Sequence, residues 1–431
     1  MGHRPGYVSH DRPDPPRPPP AGTLAAPPSK SMAHRAVLCG ALAEGESRLS
    51  GLAHSQDIDA TLAAAAALGA QVEAGETWAR IRGACPLRAP AGPVDCGESG
   101  STLRFLIPLA ALTGQPVTFT GRGRLMQRPQ NVYKELFGAR GLPFRQEAGA
   151  LTIAGPLRPG RFELAGDVSS QFVSGLLFAL PLLAGDSRIC LRPPVESRSY
   201  IEMTRAVQRR FGVVSRWADP NTLDIPGGQA YRPRDLTIEG DWSQAAFPAV
   251  LGALAGDVTV AGLEPDTLQG DAVILDILRR CGGRIEPAPG GFRFFKSRLQ
   301  GARIDLADCP DLGPVLMALG LLCEGETVIV NAGRLRLKES DRIAAMEQEL
   351  RKLGGWIASD GGTVTVRRSA LHPPAGPLWG HNDHRVVMSL TVLAAAAGLP
   401  VEIAGAEAVA KSWPGFFAAM RQLGVEVETD A

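Results

Sequence analysis

The feature that most restricts how this 431-residue chain can fold is an internal period of about seventy residues. Apolar helical patterns end in glycine at Gly69, Gly141, Gly212, Gly282, Gly354 and Gly424, at spacings of 72, 71, 70, 72 and 70. Glycine just past a helix end takes the left-handed cap conformation without steric cost. A second phase opens an apolar helical run in each unit, at Ser29-Lys30-Ser31, Ser99-Gly100-Ser101, Ser169-Ser170-Gln171, Asp241-Trp242-Ser243, Asp311 and Asn382-Asp383-His384-Arg385. A third phase opens the later helix at Asp57, Arg128, Ser199, Asp271, Asp341 and Ser412, spaced by 71, 71, 72, 70 and 71. Short β-branched stretches between them, such as Val117–Thr120 and Thr327–Val330, read as strands. Three phases in six copies define a repeated α/β unit. A unit of this length is too long for a short solenoid repeat, so two globular halves of three units each are expected. The pattern breaks near Tyr231-Arg232-Pro233-Arg234.

The helix starts hold the chemistry. Serine, aspartate and asparagine belong at a helix N-terminus, where unpaired N–H groups and the positive dipole end favour oxygen and negative charge. Cations do not, yet Lys30, Arg128, Lys338, Arg342, Arg385 and Lys411 sit in or beside these starts. Only six of the 45 basic residues are lysines, and three of those are Lys30, Lys338 and Lys411. Cations in register against positive dipole ends repel unless anions lie between them. A pocket for more than one phosphate or carboxylate follows. Single motifs weigh less. Ser29-Lys30-Ser31 lacks the spacing of a P-loop. Gly100-Ser101-Thr102 with Arg104 fits an anion cradle or a plain glycine-assisted helix start, and Lys338–Arg342 also fits an ordinary charged first turn.

Other classes fall away. Lys and Arg (45) balance Asp and Glu (44), and only 6% of residues are aromatic, so neither a nucleic-acid surface nor a basic membrane face is expected. The longest near-apolar run, residues 386–401, is too short and interrupted to span a bilayer. Seven cysteines form no C-x-x-C pair, and His381 and His384 are the only close histidine pair, so disulfides and a metal site are not expected. A cytoplasmic monomer acting on small molecules is the resulting expectation. Residues 1–22 are proline-rich and read as an extended tail.

The motifs taken in order resemble the enolpyruvyl transferase family, most closely its branch acting on shikimate 3-phosphate. They are PPSKS with Arg35 (27–35), ESGSTLRF (98–105), RLMQRP (124–129), VSSQF (168–172), ESRSYI (196–201) and EGDWSQAAF (239–247). PDLGP (310–314), LKESDRI (337–343), NDHR (382–385) and AKSWPGFF (410–417) follow. The resemblance covers residues 22–427. It implies a two-domain inside-out α/β barrel of six βαβαββ repeats, with residues 29–234 in one domain, 23–28 and 235–431 in the other, and the site in the cleft between them. It implies transfer of the enolpyruvyl group of phosphoenolpyruvate to the 5-hydroxyl of shikimate 3-phosphate. Addition and elimination through a tetrahedral intermediate would give 5-enolpyruvylshikimate 3-phosphate and phosphate.

Carried over by position, Lys30, Ser31, Arg35, Ser169, Ser170, Gln171, Ser197 and Lys338 would hold shikimate 3-phosphate, with Tyr200 beside its ring. Gly100, Arg128, Arg342, Arg385 and Lys411 would hold phosphoenolpyruvate, helped by Lys30 and Gln171. Asp311 would be the base on the 5-hydroxyl, and Glu339 or Lys30 would move the proton at the methylene carbon. Pro28, Arg334 and the pair Glu98-Ser99 depart from the family pattern. The sister enzyme acting on UDP-N-acetylglucosamine uses a loop cysteine as acid, and residues 121–129 contain none. A catalytically silent binding module is the other alternative, against which Asp311, Lys338 and Glu339 speak.

Overall fold

A computed structural model of the chain describes residues 18–429. Twelve helices run through those residues. They are α1 (Lys30–Leu42), α2 (Gln56–Ala67), α3 (Gly100–Ala110), α4 (Asn131–Gly138), α5 (Ser170–Ala179) and α6 (Arg198–Arg210). The second half adds α7 (Trp242–Ala255), α8 (Ile274–Arg280), α9 (Gly313–Gly320), α10 (Arg342–Lys352), α11 (His384–Ala397) and α12 (Phe416–Gln422). Each of the first five units places one strand, a helix, a parallel second strand, another helix and a closing antiparallel hairpin; the sixth departs from the expected βαβαββ pattern, with no closing hairpin among the described residues. In the second unit Val94–Asp95 lies parallel to Val117–Thr120, whose other edge takes Ala150–Ile153 and then Phe144–Glu147. Five four-stranded sheets share this order, and the sixth unit has a two-stranded sheet, Leu378–Trp379 with Ile403–Ala404.

Two apolar cores result, one spanning Met32 to Ile238 and one built from Leu24 and Trp242 to Leu423. We call the surrounding structures the first and second lobes. At the centre of each lie the odd-numbered helices, which are apolar on every side because every side faces protein. In α7 all residues but Leu254 are buried. Small residues let these helices approach closely. A Cβ at Gly175 of α5 would lie 2.4 Å from the carbonyl of Arg104 in α3.

The second lobe takes one strand from the N-terminal side of the first. The first sheet begins with Leu236–Thr237, in register with Leu49 and Ser50, and the fourth begins with Ala21–Ala25, in register with Asp257–Ala261. The chain therefore crosses between lobes twice, and the crossings pair with each other. Ser29 donates its N–H to the carbonyl of Glu239 and Asp241 to that of Pro27, each at 2.7 Å, with Pro28 facing Gly240. No side chain fits at Gly240, where a Cβ would meet Gly262 O at 2.2 Å.

Two boundaries differ from the sequence reading. Strand pairing carries the first lobe to Ile238 rather than residue 234, because Leu236 and Ile238 are buried in its core. Of the 22-residue tail, residues 1–17 lie outside the described residues, whereas Ala21 and Gly22 already belong to a strand. Among the described residues no helix is long and apolar enough to cross a membrane.

Candidate active site

The inner helices point their N-termini into the gap between the lobes. Ser29, Ser99 and Ser169 cap α1, α3 and α5 with their hydroxyls, and Asp241 and Asp383 cap α7 and α11 with their carboxylates. The 310 turn Pro310–Leu312 leads into α9. One cavity collects Lys30, Ser31, Arg35, Gly100, Arg128, Ser169, Ser170, Gln171, Ser197, Tyr200, Asp311, Lys338, Glu339, Arg342 and Arg385 in its wall. Those are the residues nominated from sequence, with one exception. Lys411 is buried beside the cavity but does not line it; its ammonium lies against Glu98 and the carbonyl of Asn382, at 2.7 and 2.6 Å.

The basic side chains arrive by a different route from the one expected. Lys30, Arg342 and Arg385 do sit in first helical turns. Arg128, Lys338 and Lys411 instead end or follow the 310 turns Leu125–Gln127, Gly333–Leu337 and Ala406–Lys411. A 310 turn advances about 2 Å per residue and turns more tightly than an α-helix, which aims its last side chain across the gap.

The protein's own carboxylates separate these cations. Asp311 accepts from Lys338 and Arg342 at 3.2 and 3.0 Å through one oxygen and from Arg385 at 3.1 Å through the other. Glu339 accepts from Arg342 at 2.7 Å and lies 3.8 Å from Arg128. Burial alone would raise both carboxyls. Arg385, Lys338, Arg342 and Lys30 hold Asp311 well below its ordinary range, and Arg342, Arg128 and Lys338 do the same for Glu339. Both are anions at neutral pH. Asp271 differs: burial and the charge of Asp311 push it up to about 7, and it accepts from the Tyr200 hydroxyl at 2.8 Å across the cleft. Burial and the Lys30 charge hold His384 neutral.

Supporting residues missed in the sequence become visible here. Asp57 grips the Lys30 ammonium at 2.7 Å, and Asp241 accepts from the Lys30 backbone N–H at 3.0 Å. Arg104 donates to the Gln171 side-chain oxygen at 2.8 Å, so the Gln171 amide nitrogen is turned to Ser101. The sequence reading gives Asp57 only as a helix start and Arg104 only as part of an anion cradle; neither names the partner held. Gly100 matters through what it lacks: a Cβ there would lie 2.7 Å from an Arg128 nitrogen. Arg334 donates to Ser197 Oγ at 2.7 Å and pairs with Glu196, so the Glu196-Ser197 segment of the first lobe is tied to the second.

Asp383 ties this network to the fold, since it caps α11 and takes the Arg342 Nε proton at 2.8 Å while itself fully buried. Removing one partner of a buried ion pair leaves the other uncompensated and costs about 3–5 kcal/mol. Asp383→Ala is expected to lower the urea midpoint of unfolding accordingly; an unchanged midpoint would show that Arg342 is adequately held by Asp311 and Glu339.

Residues 17–420 match the protein family described as EPSP synthase (3-phosphoshikimate 1-carboxyvinyltransferase). The chain belongs to this family. It is 42% identical over 409 residues to the 3-phosphoshikimate 1-carboxyvinyltransferase of Clostridium kluyveri, covering 94% of this chain and 96% of that one. The EPSP synthase structure from Acinetobacter baumannii superposes with a TM-score of 0.78 at 25% identity, covering 97% and 99% of the two chains. The enolpyruvyl transferase NikO of Streptomyces tendae, 18% identical, shares the fold alone, with a TM-score of 0.76 over 95% and 96% of the chains. Membership of the EPSP synthase family accounts for the architecture of six repeated units in two lobes.

Proposed function

We propose that the chain transfers the enolpyruvyl group of phosphoenolpyruvate to the 5-hydroxyl of shikimate 3-phosphate. The observation that carries this reading is the charge of the cavity wall. Eight cationic side chains face three carboxylates there, a formal excess of five positive charges. The two substrates bring two carboxylates and two phosphates, about five to six negative charges near neutral pH. Neutralisation of that order suits this pair of anions and no uncharged substrate.

The family resemblance supplies the division of labour within this one cavity. Ser169, Ser170, Ser197, Lys338 and Arg35 are assigned to shikimate 3-phosphate, with its ring against Tyr200. Gly100, Arg128, Arg342 and Arg385 are assigned to phosphoenolpyruvate, with Lys30 and Gln171 serving both. Asp311, ionised and held from both sides, takes the proton of the 5-hydroxyl as that oxygen attacks C2 of phosphoenolpyruvate. The methylene carbon gains a proton in the same addition. An ionised Glu339 has no proton to give, so Lys30 supplies it, and Glu339 serves to hold Arg128 and Arg342. Phosphate then leaves while Lys30 takes back a proton from the methyl group, and the enol ether of the product forms.

The test is phosphate release from phosphoenolpyruvate. Release that requires shikimate 3-phosphate, and fails with UDP-N-acetylglucosamine, is expected; no release with either acceptor would sink the reading.

A further inference from the structure

Lys411 stands apart from the other nominated cations because it does not line the cavity and is held instead by a carboxylate of the opposite lobe. Its side chain is 5% exposed, and Glu98 Oε2 lies 2.7 Å from its ammonium. Glu98 belongs to the first lobe, immediately before the cap of α3, whereas Lys411 belongs to the second. Two further segments meet the same carboxylate. Asn382 Nδ2 lies 3.3 and 3.1 Å from its two oxygens, and Asn382 follows His381 with both residues at positive φ, 52° and 51°. That turn leads straight into Asp383 and Arg385. From the other side comes the loop bearing Arg128, whose Gly123 has φ +57°; a Cβ there would fall 2.4 Å from Glu98 Oε2. Glu98 therefore meets all three segments that carry Arg128, Arg385 and Lys411.

A carboxylate placed among cations that await a phosphate acts as a tethered rival to it. We propose that Glu98 is a positioning residue that competes, through Lys411, with the phosphate of phosphoenolpyruvate and with the inorganic phosphate product. This rests on the reading of the donor site given above. When a phosphate arrives, its greater charge draws the Lys411 ammonium away from Glu98 and towards the cavity. When phosphate leaves, Glu98 recaptures the ammonium and hastens departure. Glu98 thus weakens donor binding in exchange for a site that empties.

The sign of the effect separates this from a mere latch between lobes. Glu98→Gln keeps an oxygen for Lys411 and Asn382 but removes the charge. Calorimetric titration of the full chain with inorganic phosphate is expected to show binding about three- to tenfold tighter in the variant. The KM for phosphoenolpyruvate should fall by a similar factor, with the KM for shikimate 3-phosphate moving less than twofold. Glu98→Asp, with its charge intact, should stay near the parent value. In a Lys411→Met background the Glu98→Gln change should lose its effect on phosphate binding. Weaker or unchanged phosphate binding in a folded Glu98→Gln protein overturns the proposal, because a lost latch would loosen both substrates. Glu98→Ala repeats the charge removal should the amide fail to fold. The phosphate titration needs no turnover, so a failure of the enolpyruvyl-transfer reading would show separately, as absent phosphate release by the parent enzyme.

Discussion

Lys30→Met is expected to lower kcat by about a hundred- to ten-thousandfold while leaving the fold intact. Single charged groups aimed at developing charge in a water-poor site are worth losses of this order. Two separate contributions vanish together here. One is the positive charge assigned to both donor and acceptor; the other is the proton assigned to the methylene carbon. Asp57, which grips the ammonium at 2.7 Å, is left buried without its partner, so a loss of stability accompanies the kinetic loss. Single-turnover measurements with saturating substrates would separate binding from chemistry. A folded Lys30→Met enzyme retaining more than a tenth of kcat would remove Lys30 from the mechanism.

Asp311→Asn is expected to be as damaging, with a different signature. The amide cannot take the 5-hydroxyl proton, so kcat should fall by about a thousandfold or more. Lys338, Arg342 and Arg385 would then face one negative charge fewer, and the KM values for the two anionic substrates should fall or hold rather than rise. A rise in both would mark Asp311 as a structural pin instead of a base. The pH dependence has a definite sign. Because its neighbours hold the Asp311 carboxyl well below the ordinary value, it stays ionised throughout the neutral and mildly acidic range. Loss of activity between pH 8 and 5 therefore belongs to other groups, among them Asp271 at about 7. For stability the same depression means that the Asp311 pairing is fully present above the unfolded carboxylate value of about 3.9. It is lost only as pH drops through the lower folded value.

How much of this was legible in the sequence divides along a physical line. Features imposed by local backbone geometry repeat visibly: the glycines at Gly69, Gly212, Gly282, Gly354 and Gly424 all take positive φ, and the serines at 29, 99 and 169 all cap. Site residues followed because they occupy those same starts. What the sequence hid depends on pairing between distant segments. Leu236–Thr237 is a two-residue strand whose partner lies 187 residues away, with no periodicity of its own, so the lobe boundary was set too early. The counter-carboxylates were hidden for a related reason. Asp57 and Asp383 look like ordinary helix starts until the opposite cation is in place, and a pocket assumed to need external anions proves to be partly neutralised by its own.

The strand Ala21–Ala25, which completes a sheet of the second lobe from before the first, makes the two lobes a single topological object. Severing the chain at residue 240 would yield one fragment that keeps Ala21–Ala25 but loses the sheet it completes, and another whose fourth sheet lacks its first strand and shows a bare edge. Fragments of that kind should be poorly soluble when produced singly and recover only when mixed. Insertions and new termini are better borne at the outer hairpins, where no neighbour from the opposite lobe depends on an unbroken backbone.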